Sequence, residues 1–585
     1  MPKRIMIVHK EKCNPQGCGG YLCIRVSPSN RAGKDAIVKS DDGKVEVNEN
    51  VISDVDRIAA NKCPFGALQM VNLPAELDED PIHRYGKNGF ALFQLPIPIF
   101  GKVVGIVGRN GIGKTTALQV IAGLLKPNLG QQEKEATYDE LSKRYRGSEA
   151  QQFFEKLDAG DITVAYKPQQ VDMIPKQFQG TTRQLLEKVD ERGKLEEISQ
   201  ALDLEKLLDR DVEHLSGGEL QRVAIAATVV KKANLYLFDE PTSYLDIKQR
   251  LKTAAFIRNL ADEGTAVMVI EHDLIIMDAM TDLVHLMYGT PGAFGVVSQP
   301  YSTKAGINIY LQGYLPQSNV RFREKPIRFE RNPPGEAKGR EILTSWQGFT
   351  HQLGAFTLES SEGTIRKHDV IGILGENGIG KTSLVKVLAG QIDAGVALDN
   401  LEISYKPQYL GKSEDLVITY LQEAGAMKYE NQLVKPLELK PLYEKTLSQL
   451  SGGELQRVSI AACLARDADL YLMDEPSAYL DVEQRLTISK VVEDMMVSRG
   501  KSALIVDHDL LFLDYLSSGL MVFDGEPAIR GKAEGPYAME EGMNSFLKDV
   551  QITFRRDEES GRPRVNKPDS QKDQEQKKSG KLYYT

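Results

Sequence analysis

No stretch of this chain reaches the roughly 18 uninterrupted apolar residues that a membrane helix needs. The best candidate, from Phe90 to Gly108, is broken by Gln94, Pro96, Pro98 and Lys102. The first residues, MPKRIMIVHK, lack the long apolar core of a secretory signal. These absences set the expectation of a soluble, cytoplasmic protein with no membrane partner. Cysteine is scarce: five in 585 residues, four of them within the first 63. Thiols stay reduced in the cytosol, so clustered cysteines suggest metal or redox chemistry rather than disulfides. The fifth, Cys463 in the apolar run SIAACLA, reads as a buried structural thiol. Positive charge is not in excess either. The net charge of −9 argues against coating nucleic acid by bulk attraction, although a local basic patch can still meet phosphates.

What the chain has is a repeat. GRNGIGKTT (108–116) returns as GENGIGKTS (375–383), and YKPQ (166–169) as YKPQ (405–408). LSGGELQRV (215–223) returns as LSGGELQRV (450–458), LYLFDEPTSYLD (235–246) as LYLMDEPSAYLD (470–481), and VIEHDL (269–274) as IVDHDL (505–510). Five segments recurring in order predict an α/β chain with two copies of one P-loop nucleotide-binding domain. The expected organisation is a small cysteine-bearing domain at 1–75, a first nucleotide-binding domain at 76–290, a basic hinge at 291–340, a second nucleotide-binding domain at 341–530, and a hinge and charged tail at 531–585. Lys114 to Gln169 spans 55 residues whereas Lys381 to Gln408 spans 27, so about 28 extra residues lie near 130–160 in the first copy. They read as two short amphipathic helices around a Gly-Ser break: a surface insertion, or an arm for a partner. The tail after Phe554 is too charged to fold alone and must wrap another domain or stay mobile.

In each copy a β-rich run enters a glycine-rich turn that opens a helix, the context a phosphate loop requires. Gly108, Asn110, Gly111 and Gly113, and again Gly375, Asn377, Gly378 and Gly380, let backbone N–H groups close around phosphates at a helix N-terminus. Lys114 and Lys381 should reach the β- and γ-phosphates of ATP. Thr115 and Thr382, followed by Thr116 and Ser383, should bring hydroxyls to Mg²⁺ and phosphate. Asp239 and Asp474 close buried-strand patterns and would help hold Mg²⁺. Glu240 and Glu475 are the candidates to polarise the attacking water. Gln169 and Gln408 would sense the metal and the γ-phosphate, which His272 and His508 would contact. For adenine stacking the candidates are Tyr85 and Phe90 in the first copy and Trp346 or Phe356 in the second.

The cysteines follow another frame. Residues 13–28 read C-NPQG-C-GGYL-C-IRV-S-P and residues 53–64 read S-DV-D-RI-A-ANK-C-P. The second matches C-x2-C-x2-C-x3-C-P of two-cluster ferredoxins, in which the fourth cysteine of each run ligates the other run's cluster. Cys13, Cys18, Cys23 and Cys63 would therefore share one [4Fe–4S] cluster, while the second site would have Ser27, Ser53, Asp56 and Ala59. Zinc held by the same four thiolates is the competing reading, and cysteines without metal a third.

The LSGGELQ segments resemble the signature motif of ABC ATPases, in which two lobes face each other head to tail. That resemblance implies that Ser216 and Gly218 complete the site built on Lys381, and Ser451 and Gly453 the site built on Lys114. With the cysteine-rich head, the insertion in one copy only and GRPRVNKP in the tail, nearly the whole chain resembles ABC subfamily E, the ribosome-recycling ATPases also called RNase L inhibitors, in a compact form of archaeal type. The family carries eight head cysteines and two clusters; this chain departs from it with four. The resemblance implies ATP-driven splitting of ribosomes. The partners it implies are the ribosome, mainly the small subunit and its rRNA, and a release-factor-like protein, with initiation factors as further candidates. The two lobes would pair within one chain, as a monomer. A transporter motor has no place for an iron–sulfur head. A coiled-coil repair ATPase needs hundreds of residues where 102 separate Lys114 from Ser216. A pure redox protein leaves both ATP motifs unexplained. A two-cassette translation factor without a cluster is the nearest rival.

Overall fold

The computed structural model describes residues 4–583 apart from 74–79, 132–133, 330–340, 396–397, 399–400 and 568. Each repeat folds into an eight-stranded sheet. In the first, the strands in sheet order are His83–Arg84, Ala91–Phe93, Phe294–Ser302, Leu283–Thr290, Val103–Gly108, Ala266–Ile270, Leu235–Asp239 and Val164–Lys167. The last five pair in parallel, and all five residues of Leu235–Asp239 are buried. Near-continuous apolar strands covered on both faces are what a parallel sheet demands. The second sheet repeats this order, with Val370–Leu374 beside Ser502–Val506 and Gly519–Glu526.

Two boundaries move. The hinge expected from residue 291 begins instead with a strand, Phe294–Ser302, that pairs antiparallel with Leu283–Thr290, and the helix Thr303–Gln312 packs behind it. The Pro-Gly pair at 291–292 is a hairpin turn, not a linker, so the first unit continues past 290. Arg530–Ala538 is likewise a strand of the second sheet, beyond the expected limit at 530. The insertion forms two helices, Tyr138–Arg144 and Glu149–Asp158, and Phe154 stacks between Tyr138 and Tyr145 in the core of the first unit.

In the head, Arg4–Val8 pairs antiparallel with Leu68–Asn72, and Ile37–Lys39 with Val45–Val47. The head is fixed to the first unit by Asn88, which bonds both backbone groups of Val47 (2.8 and 3.0 Å), and by the Arg84–Glu49 ion pair.

The charged tail wraps both units. A ribbon of Phe554–Arg556 and Pro563–Val565 lies against the helices Leu274–Met280 and Leu510–Leu516. Arg564 makes a forked contact with Asp278 of the first helix (2.6 and 2.9 Å), with the fully buried Arg562 at 3.7 Å from the same carboxylate. Arg556 lies 3.6 Å from Asp514 of the second. Ionic contacts thus supplement the small apolar burial of Phe554, Leu582 and Tyr583. Removing the shared carboxylate by Asp278→Ala leaves two buried guanidinium groups with only Asp557, 3.4 Å from Arg564, to balance them, a loss of about 3 kcal/mol. Denaturant unfolding should show it, and Arg564→Ala added to Asp278→Ala should cost much less than it does alone.

Candidate functional site

Lys114 and Lys381 open the helices Lys114–Ile121 and Lys381–Leu388, each preceded by a glycine in the left-handed region (Gly113 φ 88°, Gly380 φ 93°). A β-carbon at these glycines would also meet the rings of Phe90 (2.6 Å) and Phe356 (2.8 Å), so only glycine fits. The lysine ammonium groups hydrogen-bond carbonyls of their own loops, Lys114 to Gly108 and Arg109 (3.0 and 2.8 Å), Lys381 to Gly375 and Glu376. Burial lowers both, Lys381 to about 8.

Thr115 Oγ1 donates to Asp239 Oδ2, and Thr382 Oγ1 to Asp474 Oδ2, both at 2.7 Å. The other oxygen of each carboxylate, Oδ1, is buried without a hydrogen-bond partner. Burial raises both carboxyls. A hydroxyl beside a buried carboxylate with a vacant lone pair is a donor set that fits a hard divalent cation such as Mg²⁺.

Glu240 and Glu475 follow at φ 47° and 46°, a conformation uncommon for a non-glycine residue. The surroundings hold them there. Glu240 N donates to Ile270 O (3.0 Å) and Glu475 N to Val506 O (2.8 Å), while Gln221 and Gln456 donate to the glutamates' own carbonyls (2.6 and 2.5 Å). Lys167 and Lys406, fully buried, donate to the Asp239 and Asp474 carbonyls (3.0 and 2.8 Å). These glutamines and lysines lie inside the recurring ELQR and YKPQ segments. Their recurrence was the signal for a role that side-chain chemistry alone does not suggest.

The carboxylates themselves differ. Glu240 lies 3.3 Å from His272 and accepts from Gln169 Nε2 at 2.8 Å. Burial would raise its carboxyl, but His272, Lys114 and Gln169 outweigh that and hold it well below the usual range. Glu475 lies 3.6 Å from His508, and there burial prevails and raises it. His508 is held far below an ordinary imidazole by burial and by Lys381.

The two units meet through the loops after each Asp-Glu pair. Asn110 N donates to Asp481 Oδ2, and Asn377 N to Asp246 Oδ2, both at 3.0 Å. The Asn110 and Asn377 amides reach Tyr479 O (3.4 Å) and Tyr244 O (3.2 Å). Ser216 and Ser451 cap their own helices, accepting from Glu219 N and Glu454 N, and Gly218 and Gly453 pack over the Tyr244 and Tyr479 carbonyls. Each phosphate loop therefore meets the loop on which the other unit's signature glycine packs, with Asp246 and Asp481 as its contacts.

Of the aromatic candidates, Tyr85 is exposed, with its hydroxyl 3.4 Å from Thr116 Oγ1. Phe90 and Phe356 lie under the phosphate loops instead. Trp346 is excluded: it is buried over Gly363 with its indole N–H donated to Ser360 and Ser361.

In the head, Cys13, Cys18, Cys23 and Cys63 line one cavity with Pro15, Tyr21 and Phe65. Among the described residues, no three His, Cys, Asp or Glu side chains converge as ligands of a single ion would. Burial raises the Cys13 thiol and pushes Cys23 up to about 11, a cost that binding a cationic centre would offset. The four remaining frame positions form something else. The buried Asp56 carboxylate accepts from Ser27 Oγ (2.6 Å), Ser29 N (3.0 Å), Ser29 Oγ (2.5 Å) and Ser53 N (3.0 Å), with Ala59 buried nearby in the head core. These hydrogen bonds outweigh burial and hold its carboxyl below the ordinary range. A saturated carboxylate beside a ligandless alanine does not fit a second cluster.

Two P-loop sites, each completed by the other unit's loop, define a tandem-cassette ATPase of the ABC type. The ABC transporter family model matches residues 100–243 and 358–478. An uncharacterized ABC transporter ATP-binding protein of Methanocaldococcus jannaschii is 48% identical over 99% of this chain and 97% of its own length. ABC transporter E family member 1 of Arabidopsis thaliana is 42% identical, with 99% and 98% covered. A structure of ribosome-bound archaeal Pelota and ABCE1 contains a chain with TM-score 0.94 and 50% identity, covering 100% of this chain and 99% of that one. A complex of the archaeal stalk protein aP1 with the ribosome recycling factor aABCE1 gives 0.82 and 50%, covering 87% and 100%. This chain belongs to the E family of ABC proteins.

Replacing Asp56 with Ala strands several buried donors and should destabilise the head by about 2–4 kcal/mol, read as faster proteolysis within residues 1–75. Asp56→Cys should leave the iron content where it is in the unaltered chain, because Ala59 still offers no ligand.

Proposed function

We propose that this chain is a ribosome recycling factor that uses ATP-driven closure of its two cassettes to split ribosomes into subunits after termination or stalling. The observation that carries this reading is likeness over the whole chain, head and tail included, to an archaeal protein structured on the ribosome with Pelota. A transporter motor would share the cassettes alone. The partners proposed are the ribosome, chiefly its small subunit and rRNA, a release-factor-like protein, and initiation factors, the last because relatives such as RLI1 of Saccharomyces cerevisiae (40% identical over 99% of this chain) are called translation initiation factors. All of these place the protein in the cytoplasm.

In this reading Lys114 and Lys381 hold the β- and γ-phosphates, and Thr115 with Asp239 and Thr382 with Asp474 hold Mg²⁺, which neutralises charge developing on the phosphates. Glu240 and Glu475 orient the attacking water, with Gln169, Gln408, His272 and His508 around the γ-phosphate. Ser451 and Gly453 close over the first site, Ser216 and Gly218 over the second. Tyr85 offers the adenine face in the first. Cys13, Cys18, Cys23 and Cys63 hold one [4Fe–4S] cluster, which cross-links the two ends of the head as a rigid strut.

Both the insertion and the hinge offer basic side chains for RNA contact. Lys143 and Arg146 are exposed. Arg323 is not available: it donates to Tyr310 O (2.7 Å), stacks on Tyr310 and lies 3.5 Å from Glu483. Arg321 stacks on Tyr314 but is exposed, as are Lys325 and Arg328, and Arg331 lies outside the described residues.

Protein purified anaerobically should contain about four iron and four sulfide per chain, and Cys63→Ala should lose the brown colour. Eight of each, or zinc instead, would overturn the single-cluster reading. Incubated with ribosomes and ATP, the protein should convert them to subunits on a sucrose gradient. Glu240→Gln combined with Glu475→Gln should bind ATP and remain on the small subunit without release. Reversing Lys143, Arg144 and Arg146 to Glu should weaken co-sedimentation, increasingly as salt rises, with ATP affinity unchanged.

A further inference from the structure

The residue after each site histidine is an aspartate that caps the next helix. Asp273 Oδ1 accepts from Ile275 N and Ile276 N (2.9 and 3.2 Å), and Asp509 Oδ1 from Phe512 N (2.8 Å). The second oxygen of each is held by an arginine, Asp273 Oδ2 by Arg250 Nη1 at 3.1 Å and Asp509 Oδ2 by Arg485 Nη1. Both pairs are largely buried, with side chains 14% and 6% exposed in the first and 14% and 3% in the second. The helices Leu274–Met280 and Leu510–Leu516 pack against each other, which brings the pairs of the two units together. The Asp273 carboxyl is raised by burial and by Asp509, and opposed by both arginines.

Each arginine has a second hold. Arg250 Nε donates to Leu245 O (2.8 Å), and Arg485 Nε to Leu480 O (2.9 Å). The next residues along, Asp246 and Asp481, are those that accept from Asn377 N and Asn110 N of the opposite phosphate loops. A continuous line of contacts therefore runs from His272 through Asp273, Arg250 and Asp246 to the Lys381 site. Its counterpart runs from His508 through Asp509, Arg485 and Asp481 to the Lys114 site. A buried ion pair is a poor way to gain stability, since an apolar pair of similar volume does as well or better. What the arginine fork provides here is a fixed geometry between two loops.

We propose that Arg250 and Arg485 are positioning residues that carry the nucleotide state of one ATP site to the phosphate loop of the other. The proposal rests on both sites being ATPases and not on the ribosome, so it is tested on the isolated protein. Turnover at the second site is measured with the first loaded but inert (Glu240→Gln) and with the first unable to load (Lys114→Met). The ratio of these rates is the coupling, expected to depart from one by about fivefold or more. Adding Arg250→Met to both should bring the ratio within about twofold of one, with ATP affinity at the second site preserved. Arg250→Lys keeps a charge beside Asp273 but loses the Leu245 contact, and should uncouple equally. Arg485→Met should do the same to the mirrored ratio, measured with Glu475→Gln and Lys381→Met. Should Arg250→Met fail to fold, the near-isosteric Asp273→Asn takes its place with the same expectation. A ratio that survives these changes, or one already near unity in the unaltered chain, would overturn the proposal.

Discussion

Neither phosphate loop is complete within its own unit. Asn110 N finds its acceptor on Asp481 and Asn377 N on Asp246, so the two copies of the repeat must face each other head to tail to satisfy these backbone donors. Much else follows from that pairing. The tail ribbon takes Asp278 from one unit and Asp514 from the other, on corresponding helices. The hinge residue Arg323 reaches Glu483 in the helix behind Asp481. Hinge and tail thus brace one interface, with Lys248–Glu376 (2.8 Å) and Arg109–Glu483 (3.3 Å) at its exposed rim.

The pairing is symmetric in backbone and unequal in charge. Glu271 precedes His272 and accepts from Thr242 (2.6 Å), whereas the shorter Asp507 precedes His508 and accepts from Ser477 (2.7 Å). Glu240 is pulled down by its neighbours while Glu475 is pushed up by burial. The head and the insertion also load the first unit alone. Two sites of one design therefore sit in unequal surroundings.

The head shows the opposite economy. Four cysteines surround one apolar cavity, while the related half of the fold is closed by three serines around one carboxylate. Both halves solve the same problem, tying distant chain segments together in a domain too small for a large core. One gathers four thiols around a cavity, the other relies on hydrogen bonds alone.

The sequence by itself determined the parts that recur or keep a frame: the two phosphate loops, the strand-end Asp-Glu pairs, the glutamines and histidines, and the division of the head positions into four thiols and four others. Such features are local, since the spacing of a few residues carries the chemistry. It misread the hairpin at 291–302 as linker, because glycine and proline mark a turn within a sheet and a hinge between domains alike. Only the tertiary structure decided that Trp346 is core, that Arg323 is a brace, and that Asp56 is saturated by serines. The same holds for Arg250 and Arg485, which join an aspartate and a loop carbonyl distant in sequence. Whether a polar side chain is open to a ligand or already satisfied depends on partners brought together across the fold, and no local pattern encodes them.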